Sequence, residues 1–318
     1  MTGTLLFRLL KFPSRLALPL YTRTLVADKK RLYGLKGPLL LAVNHPNSFL
    51  DAIILSTLIE QPVHALARGD AFRKPWADRM LRLLNMLPVF RLREGAEHLH
   101  HNYNTFDVCR DIFQRNGIVL IFSEGRCVNE WKLRPLMKGT ARLSLTSWEA
   151  GIPLTVLPIG INYDSFDRFG KTVEIRIGAP ITKSMMDNTE PNGSNILFFN
   201  AMLEQQLSQL VFSSSDTASI KAHFESLQEN VSAPNRLFFQ MGKWLHLPLY
   251  IPVKHLAKRN PLWREHYDSV VVGLLFLLYP LYLLLIALAL HACIGFIGFI
   301  IPWIILPLLA RFVVKHLE

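Results

Sequence analysis

A histidine and an aspartate stand six positions apart in Asn44-His45-Pro46-Asn47-Ser48-Phe49-Leu50-Asp51, directly after the apolar run Pro38–Val43. This pattern can make a general base. An imidazole in a turn can reach a carboxylate in the first turn of the next helix. The carboxylate keeps one ring nitrogen protonated and leaves the other to accept a proton near neutral pH. Pro46 and Asn47 mark the turn, and Ser48 with Asp51 has the spacing of a helix-capping pair. The helix N-terminus also favours the ionised carboxylate. The plainer alternatives are a turn histidine bonded to backbone and an aspartate that only caps. A second polar cluster, Ser123-Glu124-Gly125-Arg126, follows the apolar run Ile118–Phe122. No metal site is expected: Cys109, Cys127 and Cys293 fit no zinc spacing and no disulfide framework. His98 and His101 share a helical face that reads as solvated.

The elements around these clusters alternate. Pro38–Val43, Val63–Ala67, Val89–Arg91, Ile118–Phe122, Leu154–Tyr163 and Thr172–Ile177 read as strands. Ser48–Leu58, Phe72–Leu87, His98–Arg115 and Leu136–Ala150 read as helices, and residues 194–246 as further helices broken at Ser213–Asp216 and Pro234. Alternation of this kind predicts an α/β fold, a central sheet flanked by helices. In such sheets the chemistry sits just beyond the carboxyl ends of strands. Both polar clusters stand there.

Charge and hydropathy set the surroundings. The 318 residues are 50% hydrophobic with a formal net charge of +11, and the mean hydropathy is +0.24. That composition excludes a disordered chain. Residues 1–36 hold eight Lys/Arg and one Asp, and residues 243–267 hold five Lys/Arg and one Glu. The remainder is neutral. Two basic segments flanking a neutral domain suit anionic lipid headgroups, and no nucleic-acid partner is expected. From Ser269 to Ala310 there are 42 residues without Asp, Glu, Lys or Arg. This length suits two transmembrane helices turning near His291–Gly295, with basic flanks on the cytoplasmic side. A re-entrant hairpin in one leaflet and a buried hairpin of a soluble protein are the alternatives. Near the N-terminus, Arg8, Lys11 and Arg15 form a cationic stripe on an apolar helix, a pattern for lying in the membrane interface. Pro13 is expected to break that helix in two.

Four blocks in order carry a resemblance. Asn44-His45 with Asp51, then Pro88-Val-Phe-Arg91, then Phe122-Ser-Glu-Gly125, then Val156-Leu-Pro-Ile-Gly160 resemble the glycerolipid acyltransferase family of glycerol-3-phosphate and lysophosphatidate acyltransferases. The resemblance spans roughly residues 37–182. Five residues separate His45 from Asp51 where the family usually has four; five is similar to a subgroup acting on glycerol-3-phosphate or dihydroxyacetone phosphate. Ser123, Arg126 and Cys127 replace a proline, a threonine and an arginine of the family's third block. The resemblance implies a fatty acyl group moving from a thioester to a glycerol-phosphate hydroxyl in phospholipid biosynthesis. His45 and Asp51 would be catalytic. Arg91, Arg93, Glu124, Gly125, Arg126 and Lys138 would bind substrate, with Glu124 holding a glycerol hydroxyl and the cations facing phosphate. No cofactor is implied, only acyl-CoA or acyl-carrier-protein thioester as co-substrate, with membrane lipids and acyl carrier protein as partners.

The expected organisation is a basic amphipathic segment (1–36), an acyltransferase domain (37–235), a basic juxtamembrane connector (236–268) and a transmembrane hairpin (269–313). The expected location is an integral membrane protein with its active domain on the cytoplasmic face. Every assigned site residue precedes Pro158, so the catalytic centre is expected to be independent of the hairpin. Three competitors remain: an acyltransferase for another acceptor, such as dihydroxyacetone phosphate or a lyso-aminolipid; a lipid serine hydrolase, for which the chain lacks a Gly-x-Ser-x-Gly elbow; and a non-catalytic adaptor.

Overall fold

Leu39–Val43 is five consecutive apolar residues, all buried. Such a strand needs sheet neighbours on both edges and helices on both faces. The computed structural model, which describes residues 2–90, 99–186, 194–228, 235–259 and 266–317, supplies them. In chain order its strands are β1 (Thr22–Val26), β2 (Leu39–Val43), β3 (Val63–Arg68), β4 (Met86–Val89), β5 (Ile118–Phe122), β6 (Thr155–Tyr163) and β7 (Lys171–Ile177). Its helices are α1 (Thr2–Tyr21), α2 (Lys29–Tyr33), α3 (Ser48–Leu58), α4 (Pro75–Leu83), α5 (Leu99–Gln114), α6 (Gly139–Glu149), α7 (Ser194–Leu210), α8 (Thr217–Ser226), α9 (Arg236–Arg259), α10 (Tyr267–Ile294) and α11 (Phe296–Lys315).

The seven strands form one sheet in the order β1-β7-β6-β2-β5-β3-β4. β2 lies parallel to both neighbours, with Leu41 opposite Leu120 of β5 and Leu157 of β6. β7 is antiparallel to β6, and β1 runs parallel to β7. Alternate residues of β2 feed two cores. Leu39, Leu41 and Val43 pack with Leu50 and Ile54 of α3 and with Tyr267 and Val271 of α10. Leu40 and Ala42 pack with Phe113, Leu143 and Phe199 on the opposite face. The turn carrying His45 therefore leaves the carboxyl end of a strand buried between two layers.

The N-terminal helix departs from expectation. α1 is continuous, with Pro13 and Pro19 inside it. A proline removes one internal hydrogen bond, and tertiary contacts compensate. Lys11 Nζ donates to the carbonyls of Ile59 and Glu60, the latter at 2.7 Å, and Arg15 Nε donates to Thr57 O at 3.2 Å. These cations satisfy carbonyls at the C-terminal end of α3, which a helix leaves without internal partners. Part of the cationic stripe thus faces the protein. Leu9, Phe12 and Leu16, on the outer side, are 63%, 69% and 59% exposed.

The segment boundaries shift as well. β1 adds Thr22–Val26 to the sheet, so residues 1–36 are not a unit apart from the α/β domain. The 236–268 connector is largely the helix α9, packed against α10 and α11. The hairpin turns at Gly295, whose φ of 71° lies in the left-handed region that glycine tolerates. α10 and α11 are long and apolar enough to cross a membrane, and most of their apolar surface is exposed.

Gly160, in the fourth sequence block, marks a close approach of α7 to β6. A Cβ there would lie 2.6 Å from Leu210 O. Gly160→Ala should therefore lower stability by about 1–3 kcal/mol through overpacking. An unchanged thermal midpoint in detergent would show that α7 can yield.

Candidate active site

Asp51 is fully buried, and a buried carboxylate requires donors. It has three. His45 Nδ1 lies 2.9 Å from Oδ2, the Asn47 backbone N–H donates to the same oxygen at 2.9 Å, and the Tyr163 hydroxyl donates to Oδ1 at 2.7 Å. They come from the β2–α3 turn and the end of β6. Asn47, rather than Ser48, is the residue preceding α3, and it makes no side-chain cap. Ser48 has φ of 50°, and its N–H donates to Cys127 Sγ at 3.0 Å. The capping interaction is the one from Asp51 back to the Asn47 N–H.

His45 is held on its other sides too. Phe122 stacks on the imidazole with centroids 3.7 Å apart and planes 10° from parallel. Asn44, one residue earlier, bonds the Ile161 backbone both ways, at 3.0 and 2.8 Å. With Asp51 on Nδ1, Nε2 is left as the proton acceptor. The imidazole side chain is 17% exposed, enough to meet a hydroxyl.

Glu124 stands beside this pair and bonds its turn. Its Oε2 accepts from the His45 N–H at 3.1 Å and its Oε1 from the Arg134 N–H at 3.0 Å. It staples the histidine turn to the segment after β5. The expectation that it holds a glycerol hydroxyl has to share the carboxylate with these two backbone donors. Gly125 has φ of 66°, and a Cβ would come within 2.8 Å of Met137 Cγ. This bend returns the chain so that the Met137 N–H reaches Ser123 O at 2.8 Å.

Arg126 and Lys138 are exposed, and neither side chain bonds a described residue. Arg91 and Arg93 lie outside the described residues. Ser123 is buried and receives a hydrogen bond from Thr140 Oγ1 at 3.0 Å. Its hydroxyl is thus engaged by α6.

Sequence reasoning missed Asn47, Tyr163, Lys171 and Asp268. The Asn47 side chain donates to Asp268 Oδ2 at 2.5 Å. Asp268 also accepts from the Tyr21 hydroxyl at 2.5 Å and pairs with Lys171, which is fully buried. The turn carrying His45 therefore touches the first turn of α10 through Asp268, the residue just before the expected hairpin. An acid at the head of an uncharged stretch and a lysine opening a strand were the available signals, but no spacing links them.

The histidine–carboxylate pair stands at the carboxyl end of the central strand β2, an arrangement chemically able to draw a proton from an incoming hydroxyl. The acyltransferase family model matches residues 23–162, a span containing His45, Asp51 and Glu124. This part of the chain, a little under half of it, is similar to the acyltransferase family. Among solved structures, the 1-acyl-sn-glycerophosphate acyltransferase PlsC of Thermotoga maritima is similar at 11% identity and a TM-score of 0.38, covering 59% of this chain and 72% of that one. No curated protein sequence matches the chain.

Burial pushes the Glu124 carboxyl up to about 7, against the pull of the Arg134 and His45 N–H groups. An unfolded glutamate ionises near 4.5. Between those values the folded state binds the proton more tightly, so this group's contribution to stability is present at low pH and is lost as pH rises to about 7. Glu124→Gln should flatten that part of the pH dependence of the thermal midpoint. Parallel wild-type and variant curves would sink the assignment.

Proposed function

We propose that the protein is a membrane-bound O-acyltransferase that moves a fatty acyl group from an acyl thioester to a hydroxyl of a glycerol phosphate, either glycerol-3-phosphate or lysophosphatidate. The observation that carries this reading is the His45–Asp51 pair, with every donor to the buried carboxylate in place and one imidazole nitrogen left over. His45 Nε2 takes the acceptor's hydroxyl proton as the oxygen attacks the thioester carbonyl. The C–S bond then breaks, and the imidazolium returns the proton to the departing thiolate. The thioester is already activated, so no acyl-enzyme is needed. Asp51 fixes the tautomer and stabilises the imidazolium, and Tyr163 fixes Asp51. Arg126 and Lys138, exposed beyond β5 and at the head of α6, are assigned to the acceptor phosphate, as are Arg91 and Arg93. Coenzyme A or acyl carrier protein carries the acyl group.

The membrane assignment rests on three features. α10 and α11 are about 42 and 30 Å long at ~1.5 Å per residue, against a hydrocarbon core of ~30 Å. α1 turns Leu9, Phe12 and Leu16 outward. At the base of the hairpin, Arg15, Arg23, Lys29 and Arg311 line a cavity of about 310 Å³ beside Leu18 and Leu58. Cations at that level suit anionic headgroups. The catalytic domain would then sit on the cytoplasmic face, where basic flanks are retained.

His45→Ala should cut transfer by roughly 10²–10⁴-fold with the fold intact, and Asp51→Asn nearly as much. Mass spectrometry of products from an acceptor panel checks both the loss and the acceptor. Near-normal turnover by folded His45→Ala protein would falsify the mechanism. Dihydroxyacetone phosphate and a lyso-aminolipid belong in that panel as alternative acceptors. Full-length protein should also resist extraction from membranes by alkaline carbonate, because a spanning hairpin is not released by screening charge. Its release would return α10 and α11 to a monotopic or soluble role.

A further inference from the structure

Four polar side chains outside the catalytic pair are buried together beneath it. Asp268, in the first turn of α10, receives hydrogen bonds from the Asn47 side chain and the Tyr21 hydroxyl and is paired with the Lys171 ammonium. Lys171 Nζ also donates to Ser165 O at 2.9 Å. Asn47, Lys171 and Asp268 are wholly excluded from solvent and Tyr21 nearly so. Charges held this way require an intact set of partners, because water cannot replace a missing one. Together they tie the hairpin's first turn to α1, β7 and the β2–α3 turn.

Two arms lead from this cluster to the catalytic pair. Asn47 bonds Asp268 through its side chain and Asp51 through its backbone N–H. It therefore stands between two carboxylates, two residues from His45. Lys171 lies over the Tyr163 ring, 5.8 Å from its centroid, and the Tyr163 hydroxyl holds the other oxygen of Asp51. Both arms end on the carboxylate that orients His45.

We propose that Asp268 is a positioning residue for the catalytic centre, holding the His45 turn through Asn47 and so making acyl transfer conditional on a docked hairpin. This inference rests on His45 being the general base. It adds that the centre is completed by a residue more than two hundred positions away, at the head of the segment read as membrane-spanning. A chain whose hairpin is not seated would have the catalytic residues without their alignment. Activity would thereby be confined to protein already assembled in a bilayer.

The test uses full-length protein in vesicles of phosphatidylcholine and phosphatidylglycerol, with transfer to acceptor and hydrolysis of the thioester measured together. Asn47→Ala removes the arm and leaves the Lys171–Asp268 pair in place, so it is the variant expected to fold; Asp268→Asn removes the charge. Both should reduce transfer by ~10–100-fold, since small misplacements of a base are costly. The ratio of hydrolysis to transfer should rise, because a loosened base discriminates less between water and the acceptor hydroxyl. That ratio is independent of how much protein is folded, so a purely structural role would not move it. The double variant should be little worse than the more impaired single one, as expected for residues acting in one chain of contacts. Folded Asn47→Ala protein with a wild-type rate and ratio, or losses that multiply in the double variant, would overturn the inference. His45→Ala measured alongside separates the two readings. A dead His45→Ala with a normal Asn47→Ala defeats the positioning role alone, whereas an active His45→Ala defeats the base.

Discussion

The buried carboxylate of Asp51 is the constraint around which this structure is arranged. It has no water to solvate it, and its donors come from the β2–α3 turn and from β6. Satisfying it requires the turn after β2 to fold back over the first turn of α3. It also requires β6 to lie beside β2 with Tyr163 at its far end. Parallel pairing of β2 with β6, Leu39 opposite Thr155 through Val43 opposite Ile159, brings Tyr163 to that level. Asn44 fastens the same two segments by bonding the Ile161 backbone in both directions. The geometry that stabilises the charge also aims the imidazole, so the contacts that satisfy Asp51 are the ones that orient His45.

Around that centre lie two further buried acids with different solutions. Glu124 is held by backbone N–H groups alone, and its carboxyl sits near 7 because burial outweighs them. Asp268 is held by an ammonium, a phenol and an amide. The first staples neighbouring loops of the sheet; the second joins the sheet to the hairpin. Burial also lowers the proton affinity of Lys171, opposed by Asp268. Neither member of that pair is easily removed without leaving the other stranded. The pair is better understood as fixing where α10 begins than as a source of stability, since burying charge is itself costly.

The outer surface continues the same logic. α1 reverses the usual arrangement of a surface helix: Lys11 and Arg15 point to carbonyls at the end of α3, while Leu9, Phe12 and Leu16 face outward. Exposed apolar rows of this kind mark an interaction surface, and α10 and α11 extend it. Arg311, near the end of α11, donates to Pro19 O at 2.6 Å and Thr22 O at 2.8 Å. The N-terminal helix and the hairpin are thus linked at their bases, so the apolar surfaces belong to one assembly.

Much of this was legible in the residues. Ser48–Leu58 and Ile118–Phe122 were readable to the residue, because an apolar helix opened by a turn and a short apolar run bounded by polar residues are both marked locally. The His45–Asp51 pair was readable because both belong to one turn and one helix. The hairpin turn at Gly295 followed from length and apolar density. Other features depended on distant partners. Pro13 looked like a helix break, yet docking on α3 keeps α1 continuous. Thr22–Val26 carried no strand signal until β7 supplied an edge. The roles of Tyr163, Lys171 and Asp268 could not be read at all. Sequence pattern encodes contacts made within a turn, a helix or a strand, because those repeat with local geometry. Contacts between buried charges carry no period, and only the packed structure decides which lysine meets which aspartate.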